Sequence, residues 1–367
     1  MHESKGTPPG ADREGESFGP EGAVSGINNL SSVSSPSTVV IVSSGGSAMP
    51  ELPEVETVKR GLAPQLAGRR ILEVTLGKTD FVDEPELLLR ELPGRVIRLV
   101  ERYGKFLLLR LEAAKESVPS RDDGALLVHL GMTGWLVPQA ASQPRAKHTH
   151  AALLLDDGRE LRYVDQRRFG RMAYLDRDRL ETELRRWGAD PLETSRPEFE
   201  RRITGRRARV KALLLDQRVL RGVGNIYADE SLWRAKIHPA VLGSRLSKQT
   251  TDALYHALRR ILLRAIRMRG STISDFLDAE GLPGEYQRHH RVYGREGKPC
   301  VRCRSLIERV MVAGRSSYVC PHCQRPPRGF RTVGLDKRVR NPNASTGKRN
   351  ALRRLNSKAT RRAQGFF

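Results

Sequence analysis

All four cysteines of the 367-residue chain fall late in it, spaced Cys300-x2-Cys303-x16-Cys320-x2-Cys323. Two such pairs, separated by a hairpin's length of chain, are the ligand pattern of a tetrahedral, closed Zn2+ site. Four thiolates leave no coordination position for water, so a metal held this way is structural and contributes to folding directly. Two disulfides would also use up the four thiols. Against them, the short apolar run from Val39 to Val42 is too brief for a signal-peptide core and has no basic flank, so nothing points to an oxidising compartment. His322 lies inside the second knuckle and is a bystander there.

A chain this long has room for two domains, each with its own core. Its net charge of +23 at pH 7 points to a polyanionic partner. The charge is unevenly spread: residues 324–367 hold 13 Lys and Arg against one Asp, residues 1–48 hold two against five acids, and the stretch between keeps a net +14. Residues 1–48, rich in Ser, Gly and Pro, read as a disordered extension, untranslated or removed. Residues 324–367 lack apolar periodicity and read as a flexible cationic tail. No run approaches the roughly 20 apolar residues of a membrane span, so the expectation is a soluble, cytoplasmic monomer with no membrane partner.

Met49-Pro50-Glu51-Leu52-Pro53-Glu54-Val55-Glu56-Thr57 combines a second candidate chain start, a proline amine and three carboxylates. A chain beginning at Pro50 carries a secondary α-amine, which titrates near ~8 rather than the ~10.4 of a lysine and is nucleophilic at neutral pH. The same residues enter a helix: Pro53 suits its first turn, Glu54 and Glu56 complement its dipole, Val55, Val58, Leu62 and Leu66 share a face, and Gly68 ends it. Short apolar runs follow at 95–100, 106–111, 125–130, 151–155, 161–164 and 172–175, with a hairpin turn at Asp156-Asp157-Gly158. They predict an antiparallel β-sandwich or flattened barrel over 49–185. Beyond Trp187-Gly188-Ala189-Asp190-Pro191-Leu192 the period becomes helical, with 186–196 as a hinge linker. A short helix covers 210–215, and Leu254, Leu258, Ile261, Leu262 and Ile266 face a long helix ended by Gly270.

Other stretches carry candidate chemistry. Lys105, in Arg102-Tyr103-Gly104-Lys105-Phe106, precedes an apolar strand and by itself reads as an edge lysine. His129-Leu130-Gly131-Met132-Thr133-Gly134 reads as a glycine-bracketed turn presenting Met132 outward. Asp165-Gln166-Arg167-Arg168-Phe169-Gly170 has the composition to stack unpaired bases and neutralise phosphates. His148 and His150, two apart with no third ligand nearby, suit a phosphate contact or a surface pair better than a metal. Gly222-Val223-Gly224-Asn225 ahead of a helix exposes backbone N–H groups at the positive end of its dipole, a seat for phosphate. Gly270 through Gly284 is glycine-flanked and polar, which suits a loop folding over a site, or a plain connector.

The opening nonapeptide, the two loops, the block from Asp216 to Glu230 and the cysteine pattern occur here in the order found in bacterial formamidopyrimidine-DNA glycosylases, and residues 49–323 resemble that family. The resemblance implies an α+β protein: an N-terminal antiparallel β-sandwich with flanking helices, a helix-two-turns-helix domain over 197–290 and a zinc-finger β-hairpin over 291–323. It implies a bifunctional glycosylase and lyase acting on 8-oxoguanine, formamidopyrimidines or abasic sites in double-stranded DNA. In that scheme Pro50 attacks the sugar, Glu51 handles protons and Glu54 organises the site. Lys105 and Arg315 grip phosphates beside the lesion, and His148, Arg167, Lys211 and Asn225 contact DNA. Met132 fills the hole left by the flipped base, Arg167 reaches the orphaned partner base and Phe169 wedges beside it. Gln166 stands where relatives often have Pro. Two other readings remain open: a zinc-dependent damage-binding protein whose Pro50 is permanently acylated, and an endonuclease VIII-like glycosylase for oxidised pyrimidines.

Overall fold

The computed structural model describes residues 49–113, 123–273 and 275–330; the expected extension 1–48 and residues 331–367 of the expected tail lie outside the described residues. Helix α1 (Leu52–Leu66) has Pro in its first turn and buries Val55, Val58, Leu62 and Leu66 along one side. Each such burial is worth about 1.5–3 kcal/mol. Gly68 then turns the chain at φ +81° and donates its N–H to Ile97.

Two sheets follow. One has the order β1 (Ile71–Leu76), β7 (Thr149–Leu155), β8 (Arg159–Asp165), β6 (Gly134–Ala140). The other runs β2 (Val82–Asp83), β9 (Arg171–Asp176), β5 (Gly124–His129), β4 (Phe106–Glu112), β3 (Val96–Tyr103). Every pairing is antiparallel except β2 with β9. Leu107, Leu109, Leu126 and Val128 of one sheet and Leu136, Leu153, Leu161 and Tyr163 of the other meet in one core with the α1 face, as alternation on a pleated strand requires. Helix α2 (Pro85–Glu91) adds Leu88 to it, and α3 (Arg177–Arg185) packs on β5 and β9.

The chain then runs to α4 (Arg196–Ile203) as a well-anchored connection. Asp190 is buried against Arg102 at 2.7 Å, Gly188 donates to Gln217, and Arg221 donates to the Gly188 carbonyl. Helices α5 (Val210–Leu215), α6 (Asn225–Arg234) and α7 (Lys248–Arg267) surround a second core of Phe199, Leu214, Tyr227, Leu232, Leu254, Leu258 and Leu262. Leu52 belongs to this second core, not to the sandwich, so the first residue of α1 is gripped by the helical half. A hairpin of β10 (Glu308–Val312) and β11 (Arg315–Val319) completes the fold. The cationic tail does not start at 324 as expected: Gln324 is fully buried, bonded to Ile237 O and Cys320 N, and Phe330 lies edge-on to His238.

Candidate active site

Glu51 is placed by two elements at once. It precedes α1, and its carboxylate reaches the start of α6, accepting from Gly224 N (2.9 Å), Ile226 N (2.8 Å) and Tyr227 N (3.3 Å). These are orphan donors at the positive end of the helix, where an anion is stabilised by roughly 0.3–2 kcal/mol. Glycine at 224 lets the carboxylate come this close, since a Cβ there would lie 2.3 Å from Glu51 Cδ. Burial pushes the Glu51 carboxyl above the usual range, opposed by Lys105 and the three amides. Pro50 is buried beside it, its nitrogen in peptide linkage to Met49.

Glu54, one turn on, is almost fully buried. One oxygen accepts from Glu51 N at 2.9 Å; the other accepts from Tyr227 Oη at 2.5 Å and Ser271 N at 2.6 Å. Burial first, and then the neighbouring Glu51 charge, raise its carboxyl to about 7. That is a group able to gain or lose a proton at neutral pH.

Half-buried Lys105 lies in the field of both carboxylates; burial lowers its ammonium below the usual lysine range, while Glu51 opposes and Arg315 adds to the depression. Arg315 begins β11 and is exposed. Asn225, the first residue of α6, has a buried amide oxygen with no hydrogen-bond partner. Lys211 corrects the expectation of a DNA contact. It is fully buried, with Nζ 2.6 Å from Asp229, 2.7 Å from Ser317 Oγ and 2.9 Å from Ser316 O, so it ties α5 and α6 to the hairpin instead of facing a ligand.

A second cluster gathers around Asp165. Its carboxylate accepts from Thr133 Oγ1 (2.5 Å), Tyr163 Oη (3.0 Å), Arg167 N (3.2 Å) and Gly170 N (3.0 Å), joining the 131–134 turn to the 166–170 loop. Phe169 is 47% exposed, with the Arg167 guanidinium 4.7 Å above its ring. Met132 is not presented outward as expected: it is buried, 5% exposed. His148 is half-buried and precedes β7, while His150 is buried and bonded through Nε2 to Asp165 O, and the two rings lie 6.3 Å apart. The stretch 270–284 has no helix or strand among its described residues. It is seated, with Phe276 and Ala279 in the sandwich core and Trp135 Nε1 donating to Asp278 O at 2.8 Å.

The cysteine sulfurs of Cys300, Cys303, Cys320 and Cys323 lie within 4.8 Å of one another, and all four are free thiols. Four sulfurs at tetrahedral Zn–S distances of about 2.3 Å would lie roughly 3.8 Å apart, so the set fits one structural Zn2+ and no disulfide. Tyr227, Ser271 and Asp165 carried no role in the sequence reading. Tyr227 and Ser271 meet Glu54 from 173 and 217 residues away, beyond any local signal, whereas Asp165 bonding the N–H two residues on is an Asx turn that its position before a loop could have suggested.

Residues 49–172 match the formamidopyrimidine-DNA glycosylase N-terminal domain, 187–277 the formamidopyrimidine-DNA glycosylase H2TH domain, and 297–326 the zinc finger found in FPG and IleRS. The formamidopyrimidine-DNA glycosylase of Herpetosiphon aurantiacus is 43% identical over 281 residues, 75% of this chain and 100% of that one. The crystal structure of MutM (Fpg) from Thermus thermophilus superposes with a TM-score of 0.65 at 41% identity, covering 75% of this chain and 98% of that one. The complex between Lactococcus lactis Fpg and an abasic-site DNA gives a TM-score of 0.68 at 33% identity, covering 75% of this chain and 100% of that one. With each relative matched over nearly its whole length, this chain belongs to the formamidopyrimidine-DNA glycosylase family.

Proposed function

We propose that this chain excises oxidised purines, 8-oxoguanine and formamidopyrimidines, from double-stranded DNA and cuts the strand at the resulting abasic site, with Pro50 nitrogen as the nucleophile. The observation that carries this reading is the pair of buried carboxylates directly after Pro50, one held on the positive end of α6 and the other able to titrate near neutral pH. The lesion nucleotide leaves the stack, at a cost of a few kcal/mol, and its sugar meets the amine. Glu54 accepts the proton that the Pro50 ammonium must lose. The nitrogen then bonds to C1′ as the C1′–N bond to the base breaks, the departing base taking its proton from water; Glu51 carries the proton left on the alkylated nitrogen to the ring oxygen, and the ring opens to the iminium. The iminium acidifies the 2′ hydrogen, so β-elimination expels the 3′ phosphate and δ-elimination the 5′ phosphate.

Lys105, Asn225, Arg315 and His148 hold phosphates, and Arg167 and Phe169 occupy the opened duplex. Met132 joins them only once its turn opens. The four cysteines hold the Zn2+ that keeps the hairpin, and with it Arg315, in place. Such a protein works at the nucleoid.

One observation favours a second reading: in the 367-residue chain Pro50 is a tertiary amide, which cannot attack C1′. Borohydride trapping on 8-oxoguanine duplex decides between them. A chain beginning at Pro50 should become covalently linked and the chain retaining residues 1–49 should not. If both are trapped equally, a lysine forms the link; if neither is, the protein binds damage without catalysis.

A further inference from the structure

Glu54 is held by a chain of polar groups that runs away from Pro50 into the helical half. Tyr227 Oη, which donates to Glu54, lies 3.3 Å from Ser271 Oγ, and Ser271 Oγ lies 3.1 Å from His290 Nε2. All four residues are buried: Glu54 is 1% exposed, Tyr227 0%, Ser271 4% and His290 6%. Ser271 therefore touches Glu54 twice, directly through its N–H at 2.6 Å and indirectly through its hydroxyl. That N–H approaches closely only because residue 270 is glycine, at φ +76°, where a Cβ would come 2.7 Å from the Glu54 carboxylate.

Resting on the reading of Glu54 given above, we propose that His290 is a positioning residue: through Ser271 it orients the donors on Glu54, so that seating of the 271–290 stretch and the charge on Glu54 are coupled. Ser271 opens that stretch and His290 closes it, so neither end can shift without changing what Glu54 receives. A carboxylate that loses a donor becomes harder to ionise, and by reciprocity an ionised Glu54 favours the seated stretch. His290 acts here as a neutral hydrogen-bonding group. Burial lowers it to about 4, and the rings of Tyr286 and Tyr293 and the neighbouring His289 face it. Glu51, Lys105 and Tyr227 are the charged and titratable groups that face Glu54.

The test is an NMR titration of 13C-labelled glutamate in the whole 367-residue chain, with the Glu54 resonance assigned by its loss in E54Q. Removing the anchor in H290L, or the hydroxyl in S271A, should raise the Glu54 midpoint by roughly 0.5–1 unit, the size of one weakened hydrogen bond. H290Q, whose amide can still meet Ser271, should restore it, and Y227F should raise it further than either. A midpoint unmoved in H290L while Y227F moves it overturns the role of His290. Should H290L fail to fold, S271A removes one hydroxyl only, and an unmoved midpoint there overturns the proposal equally. The titration needs neither DNA nor a free Pro50 amine, so failed borohydride trapping would sink the nucleophile and leave this result standing.

Discussion

At the scale of single residues, the polar groups buried in the helical half decide more than the exposed cations do. Lys211 and Asp229 are each pushed by burial toward their neutral forms, and their 2.6 Å contact opposes that. Lys211→Met leaves Asp229 buried and unpaired, and should cost ~3–5 kcal/mol in urea unfolding. Adding Asp229→Leu should recover much of the loss. Because Lys211 faces no solvent, the salt dependence of DNA binding in a folded Lys211→Met chain should stay unchanged; a shallower slope would restore Lys211 as a phosphate contact. Glu230 behaves differently. Its carboxylate accepts from the N–H groups of Arg291, Val292 and Tyr293 at 2.8–2.9 Å, yet burial outweighs them and raises it from 4.5 to about 7. A folded value above the unfolded one means that its stabilising contribution is fully present below the unfolded value and is lost as pH rises through the folded one. Thermal unfolding should show the native chain losing roughly 3 kcal/mol from this group between about pH 5 and 8, and Glu230→Gln should flatten that slope.

At the scale of elements, α6 is the part to which the others are fastened. Its first turn holds Glu51, Tyr227 holds Glu54, Asp229 holds Tyr318 N and Lys211, Glu230 holds the entry to the zinc finger, and Trp233 packs against Cys300 and Cys320. Ten residues thus set the two buried carboxylates that follow Pro50 and the hairpin in one frame. Gly224→Ala would drive Glu51 off the α6 amides; a displacement of about 1 Å in such a group costs on the order of 10²-fold in rate. Single-turnover excision should fall by that much while circular dichroism stays native, and unchanged excision would remove Glu51 from the reaction. Trp135→Phe removes one bond of about 0.5–1.5 kcal/mol from the 270–284 stretch, and hydrogen exchange should quicken at 278–282.

Across the whole molecule, the net +14 of residues 49–323 accounts for a DNA partner without the tail. Affinity should weaken steeply with salt, in proportion to the number of phosphates met. Removing Zn2+ with a chelator should loosen β10 and β11, releasing Ser316 and Ser317 from Lys211 and Tyr318 from Asp229. Duplex affinity and melting temperature should fall together, and both should return with added Zn2+.

The sequence by itself determined what depends on neighbours along the chain. The α7 face of Leu254, Leu258 and Ile261, the helix at 210–215, the apolar runs of β4 and β5 and the four zinc ligands were all legible, because a period or a spacing is a local property. Strand β6 escaped because Pro138 breaks its pattern, which an edge strand tolerates, and β1 because only Ile71 and Val74 are buried on it. Helix α3 was hidden by its charge, burying Leu180 alone. Tertiary structure alone decided that Met132 turns inward, that Lys211 is an internal tie, and that Glu54 answers to Tyr227, Ser271 and His290. Each of these depends on how two distant cores close on α1 and α6, and burial, not residue type, sets whether a side chain meets water, a partner or a proton.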